Sequence, residues 1–204
     1  MSKLSEKVAL ITGGSRGIGA AIAKRLATDG ATVAITYAKD ADAASAVVKE
    51  IERNGGKAIA IQANAADVDA VKAAVEKTVA ALGRLDVLVN NAGTAIPKTF
   101  EETTLEEMDR MIDINLRGTL TATQAALKHM KSGGRIIMIG SCVGERVLTP
   151  GHRGDSRHRS CREAFRELRA AWFFARCERR IAGDRKTYLL PHLRWRGGLP
   201  GHRV

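Results

Sequence analysis

A cluster of glycines and small polar residues is the part of the sequence best suited to chemistry on a phosphate. It reads Thr12-Gly-Gly-Ser-Arg-Gly-Ile-Gly19 and lies between an apolar, β-branched stretch and an alanine-rich helical pattern. Glycines permit a tight turn and let backbone N–H groups approach a pyrophosphate, and a helix N-terminus adds a favourable dipole. The order of strand, glycine loop and helix therefore predicts a phosphate-binding turn.

Three further polar positions are candidates for ligand contacts. Asn90-Asn-Ala-Gly93 comes directly after an apolar run, Asn115 lies inside a helical pattern, and Ser141 follows another apolar run. Ligands of open α/β sheets bind beyond the carboxyl ends of the strands, which is where residues 90–93 and Ser141 would lie. Asparagine is a poor residue in the middle of a helix, so Asn115 is expected to hold a specific hydrogen bond.

Five strand-like runs alternate with longer helical patterns and would position these residues. Strands are predicted over 8–12, 32–37, 57–62, 85–89 and 135–139, and helices over 18–29, 41–53, 67–82 and 105–130. Almost wholly apolar strands joined by helices are typical of a parallel sheet covered on both faces. With right-handed crossovers, this pattern predicts an α/β, Rossmann-like doubly wound fold.

The chain resembles the short-chain dehydrogenase/reductase family, particularly its 3-oxoacyl-acyl-carrier-protein reductase-like members. Four motifs carry the resemblance in this order: Thr12-Gly-x-x-x-Gly-Ile-Gly19, Asn90-Asn-Ala-Gly93, Asn115 and Ser141. It covers about residues 5–151 and implies that residues 1–150 are the N-terminal part of an NAD(P)-binding Rossmann domain. It also implies an oxidoreductase that reduces a carbonyl, of a 3-oxoacyl group or a similar ketone, to an alcohol.

The resemblance assigns part of the cofactor to each motif. The glycine loop would hold the diphosphate, and residues 91–93 would line the cleft. Asn64 would lie near the adenine, where the family usually has an aspartate. The implied cofactor-binding residues are Gly13, Ser15, Arg16, Gly17, Ile18, Gly19, Tyr37, Ala38, Lys39, Asn64, Asn91, Ala92 and Gly93.

The choice between NADP(H) and NAD(H) depends on the charges after the second strand. A carboxylate there would accept the ribose 2′-hydroxyl of NAD and repel a 2′-phosphate. The first acid of this segment is only Asp40, whereas Arg16 and Lys39 could pair with a phosphate. The sequence therefore favours NADP(H) over NAD(H), with solvated surface cations as the alternative interpretation.

The resemblance implies two catalytic residues that are present and two that are missing. Ser141 would polarise the substrate carbonyl, and Asn115 would hold a proton-relay water. The family's general acid is a tyrosine followed four residues later by a lysine, expected about 12 to 14 residues after Ser141. Residues 153–158 contain neither, and Tyr37 and Tyr188 lack a lysine at that spacing. The chain as written is predicted to be inactive; the alternative is a non-catalytic dinucleotide-binding or interaction protein with a basic tail.

The composition changes near Gly151. Residues 1–150 carry 11 Lys, 8 Arg and 17 acids, a net charge of +2, whereas residues 151–204 carry 13 Arg, one Lys and 5 acids, a net charge of +9. Only five of the seven strands implied by the resemblance are predicted, which would leave strand five as an exposed apolar edge. The change favours an out-of-frame or disordered tail at 151–204. An evolved tail on a cofactor-binding or regulatory protein and a basic nucleic-acid or membrane module are the alternatives. A Tyr-x-x-x-Lys run in another reading frame of codons 148–155 would favour the out-of-frame tail, and stops without such a run would favour an evolved one.

The remaining composition indicates the surroundings and partners of the protein. No apolar run reaches the roughly 18 residues that span a bilayer, and the N-terminus lacks a signal-peptide apolar region. Three cysteines without CxxC spacing predict a reducing cytoplasm, and the tail's histidines and cysteines match no zinc-finger spacing, so no metal site is predicted. The expected partner is a small-molecule carbonyl or alcohol, not a nucleic acid or a membrane. The resemblance implies a homodimer or homotetramer.

Overall fold

The computed structural model describes residues 4–97 and 101–140, so Ser141 and the basic tail lie outside the described residues. The strands in this part of the chain are β1 (Val8–Ile11), β2 (Thr32–Tyr37), β3 (Lys57–Gln62), β4 (Val87–Asn90) and β5 (Arg135–Met138). The helices are α1 (Gly17–Thr28), α2 (Ala41–Arg53), α3 (Val68–Leu82), α4 (Leu105–Ile112) and α5 (Gly118–Leu127), with a π-helical turn over Asp113–Arg117. The predicted boundary between residues 150 and 151 is also outside the described residues and stays a prediction.

The described strands run parallel in one sheet with the order β3-β2-β1-β4-β5. The chain moves outward from β1 to β3, crosses back, and continues through β4 and β5 on the other side of β1. The connections therefore diverge between β1 and β4, and ligands of such sheets bind in the crevice at that point. This order confirms the predicted Rossmann-like α/β fold.

The sheet is buried because successive strand residues face two different helical layers. On one face, Ala9, Ile11 and Val33 belong to an apolar cluster with residues of α1 and α2. On the other face, Leu10 and Ala34 belong to a cluster with residues of α3 and α5. All residues of β1 and β4 are buried, which explains why strands of this sheet are almost continuously apolar in sequence.

Three of the described helices begin with a side-chain cap. Asp40, Asp67 and Thr104 are the N-caps of α2, α3 and α4, and each side chain accepts a hydrogen bond from a backbone N–H of the first turn. Helix α1 differs, because Arg16 occupies its N-cap position and supplies no side-chain cap. The first N–H groups of α1 are consequently left for another acceptor.

The long helical stretch predicted over residues 105–130 is helical from Leu105 to Leu127, but it is not a regular α-helix throughout. Helix α4 ends at Ile112, a π-helical turn follows, and α5 ends at Leu127. In the turn, the N–H of Gly118 donates to the carbonyl of Asp113, five residues earlier. One extra residue hardly alters a hydrophobic periodicity near 3.6, so the sequence pattern did not reveal the turn. The predicted bounds of β2 and β3 are those of the structure, and the predictions for β1, β4 and β5 differ by one or two residues at an end.

Strand β5 is one edge of the sheet in the described part of the chain. Ile137, Met138 and Ile139 are 44%, 47% and 38% exposed along it. Exposed apolar side chains on a strand edge promote association between chains. The expectation that strand five is left as an exposed apolar edge also concerns residues 141–204, which lie outside the described residues, and stays a prediction.

A charged cluster joins the amino ends of β1 and β4, away from the crevice. The Asp86 carboxylate accepts hydrogen bonds from Arg84 at 2.8 and 2.7 Å and from the Val8 N–H at 3.0 Å. Lys7 Nζ lies 3.4 Å from the same carboxylate. Burial raises the pKa of Asp86, but the hydrogen bonds from Arg84 and Val8 and the attraction to Arg84 outweigh it and hold the pKa below its ordinary value. Folding therefore favours the ionised form.

The substitution Asp86→Asn is expected to lower the free energy of unfolding at neutral pH by about 1–3 kcal/mol, because hydrogen bonds to a charged group are lost. Because the pKa of Asp86 is lower in the folded than in the unfolded chain, the carboxylate stabilises the fold fully at pH values above the pKa of an unfolded aspartate, about 4. This stabilisation is lost as the pH falls through the pKa of the folded protein. Denaturant unfolding from neutral to acidic pH should show the difference between the two proteins shrinking below about pH 4. Asp69→Asn is the control, because the Asp69 side chain is 94% exposed. An equal loss in both variants would contradict the prediction.

Candidate functional site

The hydroxyl of Thr12 joins the two loops that diverge at the crevice. Thr12 Oγ1 accepts hydrogen bonds from the N–H groups of Asn91 and Ala92, both at 3.0 Å, and lies 3.4 Å from the carbonyl oxygen of Val89, to which it donates. The Thr12 N–H also donates to Val89 at 3.0 Å. Thr12 is buried, so these backbone N–H groups depend on its oxygen as their acceptor.

The side chain of Asn91 binds the glycine loop from the other side of the crevice. Its Nδ2 donates to the carbonyl oxygens of Thr12 and Gly13, at 2.9 and 3.0 Å. Gly19 is packed against the same groups, since a Cβ at that position would lie 2.4 Å from the Gly13 oxygen and 2.5 Å from Asn91 Nδ2. Helix α1 can therefore begin directly against the loop only because residue 19 is glycine.

Thr36, at the end of β2, fixes the other side of the glycine loop. The Gly13 N–H donates to Thr36 Oγ1 at 3.1 Å, and the Gly14 N–H donates to the Thr36 carbonyl at 2.8 Å. The polar groups of Gly13 are thus used inside the protein, because its carbonyl accepts from Asn91. Any N–H groups available for an external acceptor therefore come later in the loop.

The first turn of α1 has the properties of an anion-binding helix terminus. Gly17, Ile18 and Gly19 are its first three residues, whose N–H groups have no acceptor within an α-helix. The first turn contains no acidic residue, and Ile18 is 64% exposed. Free N–H groups and the positive end of the helix dipole together favour a negatively charged group at this position.

Two cations were predicted to select the cofactor, Lys39 in the segment after β2 and Arg16 in the glycine loop. Lys39 and Arg16 are exposed, whereas Tyr37 is half-buried and packs against the first apolar cluster. The Ala38 carbonyl accepts a hydrogen bond from Gln62 Nε2 at 3.3 Å. The Asp40 carboxylate accepts from the Ala43 N–H at 2.9 Å, so this acid is used to begin α2.

Asn64 lies directly after β3, at the same edge of the sheet. Its side chain is exposed, and Oδ1 accepts a hydrogen bond from the Ala66 N–H at 3.1 Å. Its carbonyl accepts from the Asp67 N–H at 3.0 Å, so both interactions shape the turn into α3. The proposed position near an adenine stays a prediction.

Asn115 holds the loop that follows β4. The Thr94 N–H donates to Asn115 Oδ1 at 2.8 Å, and Asn115 Nδ2 donates to the Thr94 carbonyl at 2.9 Å. The expectation of a specific hydrogen-bonding role for this mid-helix asparagine therefore agrees with its contacts. A water held by Asn115 stays a prediction, and Ser141 lies outside the described residues.

Most of the sequence-predicted site residues gather at the carboxyl ends of β1 to β4. The glycine loop and residues 91–93 are joined by hydrogen bonds, and Asn115 is attached to the same loop through Thr94. Sequence reasoning missed Thr36 and Thr94, because each acts on residues distant in the chain. The only local signal for Thr36 is a hydroxyl at the end of an apolar strand.

A parallel sheet with a glycine-rich turn after its first strand and helices on both faces is typical of Rossmann-like α/β proteins. A family model described as short chain dehydrogenase matches residues 7–151. The chain therefore belongs to the short-chain dehydrogenase/reductase family of oxidoreductases.

Known proteins of this kind are similar over most of the chain. A short chain dehydrogenase from Burkholderia cenocepacia in complex with NADP is 48% identical, with a TM-score of 0.72 over 83% of this chain and 66% of that chain. An uncharacterised oxidoreductase of Methylorubrum extorquens is 52% identical over 150 residues, or 74% of this chain and 60% of the relative. A 3-oxoacyl-[acyl-carrier-protein] reductase of Synechocystis sp. is 46% identical over 146 residues, or 71% of this chain and 59% of the relative. The chain thus spans about 60% of the length of these curated relatives.

Proposed function

We propose that this chain binds NADP(H) in the crevice between β1 and β4, with the diphosphate at the first turn of α1. The observation that carries the proposal is the glycine loop itself, which Thr12, Asn91 and Thr36 hold in place while the N-terminus of α1 is left uncapped. The direct contacts would come from Ser15 and from the N–H groups of Ile18 and Gly19.

Gly93 supports the fit of a nucleotide in this crevice. Its φ is outside the left-handed region, and a Cβ there would meet nothing closer than Asn115 Oδ1 at 3.4 Å. Neither backbone conformation nor packing within the described residues therefore requires glycine at this exposed position. Close approach of a ligand to the backbone gives a reason for the missing side chain.

The charges after β2 support NADP(H) over NAD(H). The carboxylate of Asp40 is engaged as the N-cap of α2, while Arg16 and Lys39 are exposed cations. A 2′-phosphate beside these two side chains would gain charge-assisted hydrogen bonds. The similar Burkholderia cenocepacia protein is in complex with NADP.

The reaction that we propose for the family-type site is reduction of a carbonyl, of a 3-oxoacyl group or a similar ketone, to an alcohol. The nicotinamide would supply the hydride, Ser141 would hold the carbonyl oxygen, and Asn115 would hold a water that returns the proton. The sequence lacks the tyrosine and lysine that would protonate the product, so we infer binding of the nucleotide without turnover. Binding of NADPH without turnover would therefore favour the alternative, a non-catalytic dinucleotide-binding protein.

The remaining predictions concern membranes, metals, location and partners. Among the described residues, no helix combines the length and the apolar character needed to cross a bilayer. In the same residues, no group of three or more His, Cys, Asp or Glu side chains could hold a metal. A reducing cytoplasm, a homodimer or homotetramer, and the absence of a nucleic-acid partner stay predictions.

The variant Arg16→Ala tests the assignment of the cofactor. Because charge-assisted hydrogen bonds contribute about 1.5–3 kcal/mol, the dissociation constant for NADPH is expected to rise roughly 10- to 100-fold. The constant for NADH should change less than about threefold, since NADH lacks the 2′-phosphate. Titration of the reduced nicotinamide by fluorescence measures both constants.

Arg53→Ala provides a matched control, because Arg53 is an exposed cation at the end of α2. It removes the same charge and should leave both constants unchanged. Equal weakening of NADPH and NADH by Arg16→Ala would count against the 2′-phosphate assignment. Failure of the unsubstituted chain to bind either nucleotide would reject the proposed function.

A further inference from the structure

Gly118 makes the closest glycine contact on the side of the sheet that carries α3 and α5. It is buried at the start of α5, and a Cβ there would lie only 2.2 Å from the carbonyl oxygen of Ala65, in the segment after β3. Its φ of −59° is ordinary for a helix. Glycine is therefore required at this position by the contact with Ala65 and not by the backbone conformation.

The same residue ends the π-helical turn that contains Asn115. The Gly118 N–H donates to the carbonyl of Asp113, which closes the turn. The next residue, Thr119, donates through Oγ1 to the Asn115 carbonyl at 3.0 Å. The position of Asn115 is thus tied to that of Gly118 by the geometry of one turn.

We propose that Gly118 is a positioning residue for Asn115. Its missing side chain lets the π-helical turn lie against Ala65, and the turn in this place sets the Asn115 amide at the backbone of Thr94. The position of the loop after β4 therefore depends, through Gly118 and Asn115, on the position of the segment after β3. The inference goes beyond nucleotide binding, since it concerns how the protein holds Asn115 before any ligand is present.

The short distance between Gly118 and the Ala65 carbonyl oxygen shows why a side chain at position 118 would displace the turn. Real Cβ atoms are essentially never found closer than 3.0 Å to another heavy atom, so an alanine needs a shift of at least 0.8 Å from 2.2 Å. The bond from the Thr94 N–H to Asn115 Oδ1 is 2.8 Å long. Movement of the turn by that amount along the bond would lengthen it to about 3.6 Å, which is no longer a hydrogen bond.

Helix propensity alone predicts that Gly118→Ala stabilises α5, whereas the contact with Ala65 predicts that it disturbs the turn. Alanine is a better helix former than glycine by about 1 kcal/mol, so Gly118→Ala would stabilise a helix that had no contact with Ala65. If Gly118→Ala instead weakens the structure around Asn115, the contact with Ala65 is the cause and not helix propensity.

Amide hydrogen exchange in the full 204-residue chain, without nucleotide, tests the proposal at Thr94 itself. Gly118→Ala is expected to lower the protection of the Thr94 amide by at least about tenfold, measured by mass spectrometry with residue-level fragmentation. The Ala92 amide is on the same loop but is held by Thr12, so its protection should change less than about threefold. Gln124→Ala, an exposed substitution in α5, should alter neither amide. A uniform loss at Thr94 and Ala92 would show a merely structural role and overturn the proposal.

A double substitution tests whether Gly118 acts through Asn115. Asn115→Ala alone should also lower the protection of Thr94 by about tenfold, and adding Gly118→Ala should lower it by less than about twofold further. Independent, additive losses would overturn the proposed relation between the two residues.

The unsubstituted chain provides a measurement that does not depend on whether Gly118→Ala folds. The amides of Thr94 and Gly118 should exchange through one opening reaction, with the same dependence on low concentrations of urea. An opening of Thr94 that leaves Gly118 protected would contradict the proposal. Because no nucleotide is present, failure of NADPH binding would reject the proposed function without affecting this result.

Discussion

Incubation of this 204-residue chain with NADPH and a 3-oxoacyl or simple ketone substrate is expected to give no measurable oxidation of the nucleotide. A positioned general acid typically contributes about 10²–10⁴ to the rate, and the free phenol of a tyrosine needs a positive neighbour to act near neutral pH. Neither Tyr37 nor Tyr188 has a lysine four residues later. The near-ultraviolet absorbance of NADPH measures the rate directly.

The experiment needs two controls, because an unfolded protein would also be inactive. Binding of NADPH in the same sample, followed by fluorescence, shows that the crevice is formed. The similar Synechocystis 3-oxoacyl-[acyl-carrier-protein] reductase, assayed under the same conditions, shows that the substrate is competent. Turnover by this chain at a rate near that of the relative would contradict the prediction and require a different proton donor.

The variant Thr12→Val is expected to lower the free energy of unfolding by about 2–5 kcal/mol. Valine has nearly the same shape, but it removes the oxygen that accepts from the N–H groups of Asn91 and Ala92. Both N–H groups are partly buried, and a donor left without an acceptor away from water costs about 1–3 kcal/mol. Because the same oxygen holds the loops after β1 and β4 together, NADPH binding should weaken in the same variant.

Thr12→Ser is the matched variant, because it keeps the hydroxyl and removes only a methyl group. It should lose less than about 1.5 kcal/mol, since deletion of one buried methyl group costs about that at most. Thr28→Val removes an exposed hydroxyl that donates to the Lys24 carbonyl within α1, and it should have little effect. Urea unfolding of the three variants gives the comparison. Equal stabilities of the valine and serine variants at position 12 would mean that the hydroxyl does not hold the loops.

The elements of the fold could be predicted because their signals are local. The strands at Thr32–Tyr37 and Lys57–Gln62 and the helix at Ala41–Arg53 were predicted with the bounds that the structure has. Their apolar runs and glycine or asparagine stops lie within the segments themselves. The π-helical turn at Asp113–Arg117 could not be found in this way, because one extra residue hardly alters a hydrophobic periodicity near 3.6.

The candidate site was predicted in part for the same reason. The residue types of the glycine loop and of residues 90–93 are sufficient to indicate a phosphate-binding crevice, since glycine and a following helix are local requirements. The roles of Thr36 and Thr94 were not predictable, because their partners Gly13 and Asn115 lie 23 and 21 residues away.

The sequence by itself determined the order of strands and helices, the glycine-rich turn after β1, and the lack of a tyrosine and lysine at the family's spacing. These are properties of residue type and spacing along one stretch of chain. Only the tertiary structure decided that Thr12 meets Asn91 and Ala92, 79 and 80 residues away, and that Gly118 meets Ala65. The physical reason is that such contacts depend on which strands are neighbours in the sheet and on how closely two backbones can approach. Neither quantity is present in a local pattern of residues.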